Sequence, residues 1–422
     1  MNLLRQSVLS AALCVLSLSI AYVAAARDIF LKTDGMNLRD EHGLGRIVTL
    51  HGVNVGGWLI TEAWMCPLDT AGAKDDYSVR EILTRRFGPA KRDELLATYQ
   101  DHWVDGEDFA RITALGLNTV RLPFWYPNVE DENGVWRTDA FRRLDWFVEG
   151  ARDHGIYVIL DLHGVPGSQS DSQCTGRLRK KDVNGLEPDF WNNETNLART
   201  VEIWRRVAEH FKNNPTVAAY DLINEPSGAP TREALWAFYD RLYRTIRAED
   251  PDHIVCLEGC WGGTIDGHYQ GWGWGSLPAP GQFGWTNVMY QQHSYEWDWR
   301  SLPKQIANTD RQVADWQQHQ KWNVPCLIGE FNCMAPEQGW RYTLDQFNRN
   351  NMSWTIWAYK SANGGGEDSW GVYNCRLPKP PVPDLLKDSA EEIKAKWSAW
   401  GEGAFVPNPM LARVLNDATP RK

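Results

Sequence analysis

Two glutamates, each at the end of a short apolar run, are the residues of this 422-residue chain whose type and position best suit acid chemistry. Glu225 follows the apolar run from Val217 to Ile223 and is preceded by Asn224. Glu330 ends a second apolar run, which begins at Pro325. Glycoside hydrolysis uses a pair of carboxyl groups, one to protonate the leaving oxygen and one to act as a nucleophile or to activate water. The pair therefore predicts a sugar-cleaving site, with Glu225 as general acid and base and Glu330 as nucleophile.

Eight short apolar runs, separated by longer polar or amphipathic stretches, predict the elements that must position these acids. Continuous hydrophobicity indicates burial on both faces, which is typical of parallel strands covered by helices. Eight such runs predict an α/β fold, a single (β/α)8 TIM barrel with long βα loops. The runs are Ile47 to Gly57, Leu117 to Tyr126, Gly155 to Gly164, Val217 to Pro226, His253 to Gly262, Asn287 to Tyr295, Pro325 to Asn332 and Asn351 to Lys360.

Helices are predicted between several of these runs, because apolar residues recur there at the spacing of one helix face. Ser389 and Glu392 form a capping-box pattern near the end of the chain, and we expect the segment that follows to be the last helix covering the barrel. The residues that give the helical spacing are Phe141, Leu144, Phe147, Val148 and Ala151 before the third strand, and Leu197, Val201, Ala208 and Phe211 before the fourth.

Polar and aromatic residues collect in the second half or at the end of the apolar runs. Each alone is explained equally well by ion pairing or packing, but the carboxyl end of the strands carries the active site of a TIM barrel. Arg121 is expected to keep Glu330 ionised, while His293 and Tyr295 orient the acids or the sugar. The full set is Asn54, Arg121, His163, Asn224, Glu225, His293, Tyr295, Glu330 and Trp357.

The first 26 residues have the pattern of a secretory signal peptide, which leaves residues 27–422 as the predicted catalytic domain. Arg5 precedes a nearly continuous apolar stretch from Val8 to Val23, and small residues follow at Ala24. A membrane anchor is the alternative, which the short apolar core disfavours. We therefore expect a secreted protein, extracellular or periplasmic if the source is bacterial, with no membrane association after signal removal.

Cysteine usage adds an expectation about covalent structure. In an exported protein some cysteines should form disulfide bonds, and an odd number leaves at least one free. The seven cysteines beyond the predicted signal are Cys66, Cys174, Cys256, Cys260, Cys326, Cys333 and Cys375.

The formal net charge of −10 argues against nucleic acid or an anionic membrane as partner, because both require a basic surface. The 23 tryptophans suit sugar rings, whose faces are apolar and whose rims carry hydroxyls. The chain has no His-Glu-x-x-His zinc motif, no complete phosphate loop and no Gly-x-Ser-x-Gly nucleophile elbow. These features favour a neutral carbohydrate as the substrate.

An ordered series of motifs resembles glycoside hydrolase family 5, and within it the exo-β-1,3-glucanase-like members. The series comprises His51-Gly-Val-Asn-Val-Gly-Gly-Trp-Leu-Ile-Thr-Glu62-Ala-Trp64, Val120-Arg121-Leu-Pro, Asp161-Leu-His163-Gly-Val-Pro-Gly-Ser-Gln169, Asn224-Glu225-Pro226, His293-Ser-Tyr295 and Gly329-Glu330-Phe331. The resemblance implies a retaining double displacement, with Arg121, His163, Asn224, His293 and Tyr295 around the reacting sugar. It also implies that Glu62 binds a terminal hydroxyl and that Trp357 stacks beneath the ring. No metal or organic cofactor is implied, and we expect a monomer acting on β-glucan polysaccharide or oligosaccharide.

Three departures from the pattern of such glucanases leave the linkage open. This chain has Ser170 where an Asn is usual, Phe331 where a Trp is usual, and Gln291-Gln292 where an acidic residue is common. β-1,3-Glucan is the first choice, with endo-β-1,4- or β-1,6-glucanase activity and glucosides of lipids as alternatives. A catalytically silent carbohydrate-binding protein on the same barrel is the alternative from another class.

Overall fold

The computed structural model describes the chain from residue 29 to 419, except residues 41–43, 69, 171, 179–188, 299, 335 and 365–368 and most of 260–272, where it gives only the backbone of two short strands. The predicted signal peptide, residues 1–26, lies outside the described part, as does Cys260. No helix in the described ranges has the length and apolar character needed to span a membrane.

Eight parallel strands close into a barrel in chain order, so the predicted (β/α)8 TIM barrel is confirmed. The barrel strands are β4 to β8 and β11 to β13, and β13 pairs with β4 to close the ring. The strands, numbered along the chain, are β1 (Lys32–Asp34), β2 (Asn37–Arg39), β3 (Ile47–Val48), β4 (His51–Asn54), β5 (Thr119–Trp125), β6 (Tyr157–Gly164), β7 (Val217–Asp221), β8 (Ile254–Glu258), β9 (Thr264–Ile265), β10 (His268–Tyr269), β11 (Val288–Tyr295), β12 (Cys326–Asn332), β13 (Ser353–Ile356), β14 (Lys360–Ser361), β15 (Tyr373–Cys375) and β16 (Phe405–Pro407).

Each predicted apolar run contains one barrel strand, but some runs extend beyond it. The run from Val217 to Pro226 forms a regular strand only to Asp221, and four residues later Glu225 adopts a left-handed backbone with φ of +44°. The run from Asn351 to Lys360 contributes β13, whereas Lys360 begins β14 in a separate three-stranded sheet with β15 and β16. The apolar residues of these two runs that follow β7 and β13 are buried, although they lie outside the regular strands.

Helices cover the outside of the barrel, and their buried stripes explain why these segments are helical. In α4 the buried residues are Leu144, Phe147, Val148 and Ala151, and Gly155 ends the helix in the left-handed conformation that glycine adopts at low cost. The helices are α1 (Asp76–Phe87), α2 (Pro89–Trp103), α3 (Glu107–Ala114), α4 (Arg142–His154), α5 (Glu194–Phe211), α6 (Arg232–Glu249), α7 (Leu302–His319), α8 (Glu337–Arg349), α9 (Ala390–Ser398) and α10 (Pro409–Ala418).

The prediction that the helix after Ser389 is the last one covering the barrel is wrong. The capping box forms as expected, since Glu392 N–H donates to Ser389 Oγ at 3.2 Å and Ser389 N–H donates to Glu392 Oε2 at 2.7 Å. The helix that it starts, α9, packs on α2, with Trp397 and Tyr99 rings 5.6 Å apart. The last described helix is α10, which packs on α8. A capping box fixes where a helix begins, but not what the helix packs against.

The expected disulfide bonds are not found among the described cysteines, all six of which are free. Two of the thiols make other contacts in the core instead. Cys66 Sγ lies 3.7 Å from the Gly57 carbonyl oxygen, and Cys333 Sγ lies 3.4 Å from Thr343 Oγ1. Spacing along the chain could not show that these side chains point into different regions of one large core.

Packing between the barrel and the helices also fixes the backbone that follows β7 and leads to Glu225. Trp204 of α5 is fully buried, and its ring lies 5.7 Å from that of Tyr220 in β7. Its indole N–H donates to the Leu222 carbonyl oxygen at 2.9 Å. Helix packing therefore holds the backbone two residues before Asn224.

Candidate active site

The residues predicted to share one end of the barrel are brought together there. Asn54 is the last residue of β4, and Glu330 lies within β12. Asn224 and Glu225 follow β7, and Trp357 follows β13. The set Glu62, Asn54, Arg121, His163, Asn224, Glu225, His293, Tyr295, Glu330 and Trp357 is buried throughout, with no member more than 8% exposed.

Glu225 and Glu330 lie close together, and His293 is near both of them. One carboxylate oxygen of each glutamate and one ring nitrogen of His293 all lie within 4.8 Å of one another. The Nδ1 atom of His293 is 2.8 Å from Glu225 Oε1 and 3.5 Å from Glu330 Oε2. A carboxyl pair separated by about 5 Å leaves room for one anomeric carbon between the two groups, but not for an additional water.

Glu330 is surrounded by hydrogen-bond donors. Arg121 Nη1 donates to its Oε1 at 2.9 Å, and the Tyr295 hydroxyl donates to its Oε2 at 2.9 Å. Burial raises the pKa of Glu330 to about 7, and the positive charge of Arg121 opposes this rise. Donors on both oxygens favour the ionised form, which is the form a nucleophile requires.

Glu225 has a different environment, in which no cationic side chain of the described residues donates to its carboxyl. Its Oε1 pairs with His293 Nδ1, and the Cys174 thiol donates to its Oε2 at 3.1 Å. Burial raises the pKa of Glu225 well above its ordinary value, and the nearby charge of Glu330 raises it further. Burial also lowers the pKa of His293 well below its ordinary value, so the imidazole is neutral. Glu225 therefore keeps its proton to higher pH than Glu330 does.

Arg121 links the two acid-bearing strands to the rest of the barrel. Its side chain is fully buried, and its donors reach Asn54, Asp221, Asn224 and Glu330 at 2.8–3.1 Å. Its Nη1 also lies 3.1 Å from Asp161 Oδ2. A buried guanidinium needs carboxylate partners to offset its desolvation, and here they come from three different strands. Arg121 thus fixes the relative positions of β5, β6, β7 and β12.

The floor and side of the site are formed by an aromatic ring and an amide. The Trp357 indole stacks on the His163 ring, with centroids 5.2 Å apart and planes at 11°. Asn224 Oδ1 accepts from Arg121, while its Nδ2 has no hydrogen-bond partner within the described residues. A buried amide nitrogen without a partner is suited to donate to a ligand in the pocket.

A cavity of about 290 Å³ opens above the two carboxyls. Glu62 lines it, and its Oε2 accepts from the Trp64 indole at 2.8 Å. Burial raises the pKa of Glu62 to about 7. Aromatic residues dominate the remaining wall, as expected for a sugar site. The lining residues are Glu62, Trp64, Ser172, Gln173, Cys174, Glu225, Tyr295, Trp297, Glu330, Trp357 and Trp370.

Sequence reasoning missed several residues of this site. Asp221 and Glu258 are buried acids that end their strands, so the signal that identified Glu225 was present for them too, and Asp161 is a buried acid within β6. Cys174 and Trp370 lie in loops, where periodicity gives no information about which side chains reach the cavity. The loop residue Gln169 donates to the carbonyl oxygens of His163 and Asn224, both at 2.8 Å.

Glu225, His293 and Glu330 also form the one group of potential metal ligands found in the described ranges. Their carboxylate oxygens already accept from Arg121, Tyr295 and Cys174. The guanidinium supplies positive charge beside Glu330, which is the contribution that a cation would make. The residues present therefore do not require a metal ion.

Comparison with known proteins identifies the family of the chain. The family model described as "Cellulase (glycosyl hydrolase family 5)" matches residues 90–363, which include Arg121, His163, Glu225, Glu330 and Trp357. Two solved structures share the fold at low sequence identity. A rutinosidase from Aspergillus niger is 17% identical with a TM-score of 0.59, over 76% of this chain and 95% of that chain. Endoglucanase Cel5A from Thermotoga maritima is 18% identical with a TM-score of 0.51, over 80% of this chain and 96% of that chain.

Curated relatives match at higher identity. A "Beta-xylosidase" from Phanerodontia chrysosporium is 27% identical over 93% of this chain and 83% of its own length. A "Probable glucan 1,3-beta-glucosidase A" from Neosartorya fischeri is 30% identical over 67% of this chain and 65% of its own length. A second protein of that name, from Emericella nidulans, is 31% identical over 58% of this chain and 57% of its own length.

A (β/α)8 barrel with two facing glutamates at the carboxyl ends of its strands defines a glycoside-cleaving class of enzyme. The chain belongs to glycosyl hydrolase family 5, and it is a glycoside hydrolase.

Proposed function

We propose that the protein is a secreted, retaining exo-β-1,3-glucanase that releases glucose from β-glucan by double displacement. The single observation that carries the retaining mechanism is that carboxylate oxygens of Glu225 and Glu330 lie within 4.8 Å of each other. Retaining enzymes hold their two carboxyls about 5 Å apart, whereas inverting enzymes hold them about 6.5–9.5 Å apart to admit a water.

The environments of the two glutamates support their separate roles. Glu330 accepts from Arg121 and Tyr295 and ionises first, so it attacks the anomeric carbon. Glu225 retains its proton and donates it to the leaving oxygen. After the leaving group departs, the Glu225 carboxylate takes a proton from the water that hydrolyses the glycosyl-enzyme.

Three neighbours are assigned to the sugar in this proposal. Asn224 presents its unpartnered Nδ2 to the hydroxyl beside the reacting carbon, a contact that strengthens in the transition state. Trp357 lies in the cavity wall beside His163, where its face can stack under the ring. Glu62, which lines the same cavity as the two acids, binds a terminal hydroxyl.

The substrate class rests on similarity to named relatives. Two relatives at 30% and 31% identity are named for β-1,3-glucan cleavage, and this supports a β-1,3-glucan substrate. A β-xyloside is the second candidate, because the relative named for it aligns over 93% of this chain. Export is supported by the pattern of residues 1–26, with residues 27–422 as the mature catalytic domain. We propose that it acts as a monomer without a cofactor.

Hydrolysis of laminarin, carboxymethyl-cellulose, pustulan and xylo-oligosaccharides, measured side by side, tests the substrate. Release of glucose alone from laminarin, with the β-anomer appearing first in proton NMR, is the expected result. A ladder of oligosaccharides would contradict exo action, and preferential xylose release would establish the second candidate. Binding of laminarin without hydrolysis would establish a silent carbohydrate-binding protein. Edman sequencing of the exported protein should begin at Arg27.

A further inference from the structure

Glu258 is a buried carboxyl that contacts Glu225 in two ways, one of them indirect. It is the last residue of β8 and only 1% exposed. Its Oε2 accepts the backbone N–H of Glu225 at 2.7 Å. Its Oε1 lies 3.3 Å from His293 Nε2, on the ring edge opposite the nitrogen that pairs with Glu225. Glu258, His293 and Glu225 therefore form a continuous buried chain.

The backbone contact matters because Glu225 has an uncommon conformation. Its φ of +44° lies in the left-handed region, which residues with a Cβ adopt only when the surroundings hold them there. The Glu258 carboxyl accepts the backbone N–H of this residue. Removing that acceptor would leave a buried N–H without a partner and loosen the backbone that aims the acid.

The contact through His293 couples the protons of the two carboxyls. Glu258 Oε1 and His293 Nε2 lie 3.3 Å apart, and neither atom has a hydrogen-bond partner within the described part of the chain. The imidazole is neutral, so only one of its nitrogens carries hydrogen. Hydrogen on Nδ1 faces Glu225 and leaves Nε2 to accept from protonated Glu258. Hydrogen on Nε2 faces the Glu258 carboxylate and leaves Nδ1 to accept from protonated Glu225.

The other groups around Glu258 do not break this chain. Arg121 and Asp221 are the further charged groups that act on it, from β5 and β7. Arg121 donates hydrogen bonds to Asp221, Asn54, Asn224 and Glu330. Asp221 accepts from Arg121 and Gln291.

We propose that Glu258 is a positioning residue for the acid/base Glu225, holding its strained backbone and selecting the His293 tautomer that faces it. This inference rests on the proposed role of Glu225. While the Glu258 carboxylate accepts Nε2–H of His293, Nδ1 accepts from protonated Glu225; when Glu225 gives its proton to the leaving oxygen, the protons on Glu258 and His293 do not move. No group transfer to Glu258 is required.

A Glu258→Gln variant tests the proposal, because the two neighbouring groups fix the orientation of the new side-chain amide. The Glu225 N–H needs an acceptor, so the amide oxygen faces it and the amide NH2 faces His293 Nε2. This locks hydrogen on Nδ1, which favours ionised Glu225. The alkaline limb of the kcat/KM pH profile should move to lower pH by about one unit. Glu258→Asp, which is too short to hold both contacts, should slow hydrolysis more with a poor leaving group than with nitrophenol, which needs no protonation.

Glu130→Gln is the matched control, since Glu130 is a buried carboxyl paired with Arg199 at 2.7 Å and lies outside the cavity lining. It should leave the pH profile and the leaving-group dependence unchanged. A folded Glu258→Gln enzyme with an unshifted profile, together with a Glu258→Asp enzyme slowed equally for all leaving groups, would overturn the proposal. Should Glu225→Gln itself retain full activity on poor leaving groups, the proposed role of Glu225 fails instead, and the two outcomes are distinct.

Discussion

The Cys174 thiol donates a hydrogen bond to Oε2 of Glu225 across 3.1 Å, inside the cavity that holds both candidate catalytic carboxyls. Burial raises the pKa of the thiol well above its ordinary value, so it remains protonated near neutral pH. A donor to a carboxylate stabilises the ionised form. The thiol therefore offsets part of the effect of burial on the pKa of Glu225.

Replacing Cys174 with alanine should raise the pKa of Glu225, because the donor is lost. The acid form then persists to higher pH, and the alkaline limb of the kcat/KM profile should move up by about half a pH unit. Cys174→Ser keeps a hydroxyl donor and should restore most of the wild-type profile. Equal profiles for the alanine and serine variants would contradict a role for the thiol proton.

Removing the Tyr295 hydroxyl should weaken the nucleophile. Tyr295→Phe deletes the donor to Glu330 Oε2, and a hydrogen bond to a charged group contributes about 1.5–3 kcal/mol, so kcat/KM should fall about 10- to 100-fold. The pKa of Glu330, already raised to about 7, should rise further and move the acidic limb of the profile to higher pH.

Tyr290→Phe is the control for that variant, because Tyr290 lies on the same strand and donates to the Pro278 carbonyl oxygen at 2.8 Å, away from the cavity lining. It should lose some stability and keep the wild-type pH profile. A Tyr295→Phe enzyme with wild-type kcat/KM and an unshifted acidic limb would contradict the assignment of Glu330.

Glu62 should make the protein less stable as pH rises. The folded-state pKa of Glu62 is raised to about 7, above the unfolded value. Its contribution to the free energy of unfolding is therefore fully present below about pH 4 and is lost as pH rises through about 7. Glu62→Gln should therefore increase the free energy of unfolding at about pH 8 by up to about 3 kcal/mol and change it little at about pH 4. Urea unfolding at both pH values measures this. An equal change at the two pH values would show that Glu62 does not titrate as the structure indicates.

The same variant should lose activity even where it gains stability. Glu62 lines the cavity, and the proposal assigns it to a terminal hydroxyl of the substrate. A raised KM with nearly unchanged kcat for glucosides is the expected pattern of lost ground-state binding.

The barrel was predictable because a parallel strand buried on both faces has a continuous apolar sequence. All eight runs contain a barrel strand, and the strand ends carried the polar residues that gather around Glu225 and Glu330. The apolar runs could not show where each barrel strand ends. Glu225 lies four residues beyond β7 in a left-handed backbone conformation, which no periodicity encodes.

The contacts that Cys174 and Glu258 make with Glu225 were less predictable, for a different reason. Cys174 reaches Glu225 from a residue 51 positions earlier, and Glu258 reaches it from 33 positions later. Contacts of this kind depend on tertiary packing between segments that are far apart along the chain, which local sequence patterns do not encode. The packing of α9 on α2 was missed for the same reason, although its start at Ser389 follows from local capping chemistry.

In the proposed mechanism, Glu330 forms a covalent bond to the sugar while Glu225 supplies the proton. Inactivation with a dinitrophenyl 2-deoxy-2-fluoro-β-glucoside, or the matching xyloside, followed by peptide mass spectrometry, tests this most directly. We expect one label per chain, located on Glu330, and no label in Glu330→Gln. A label on Glu225, or full turnover of β-glycosides with inversion at the anomeric carbon, would contradict it.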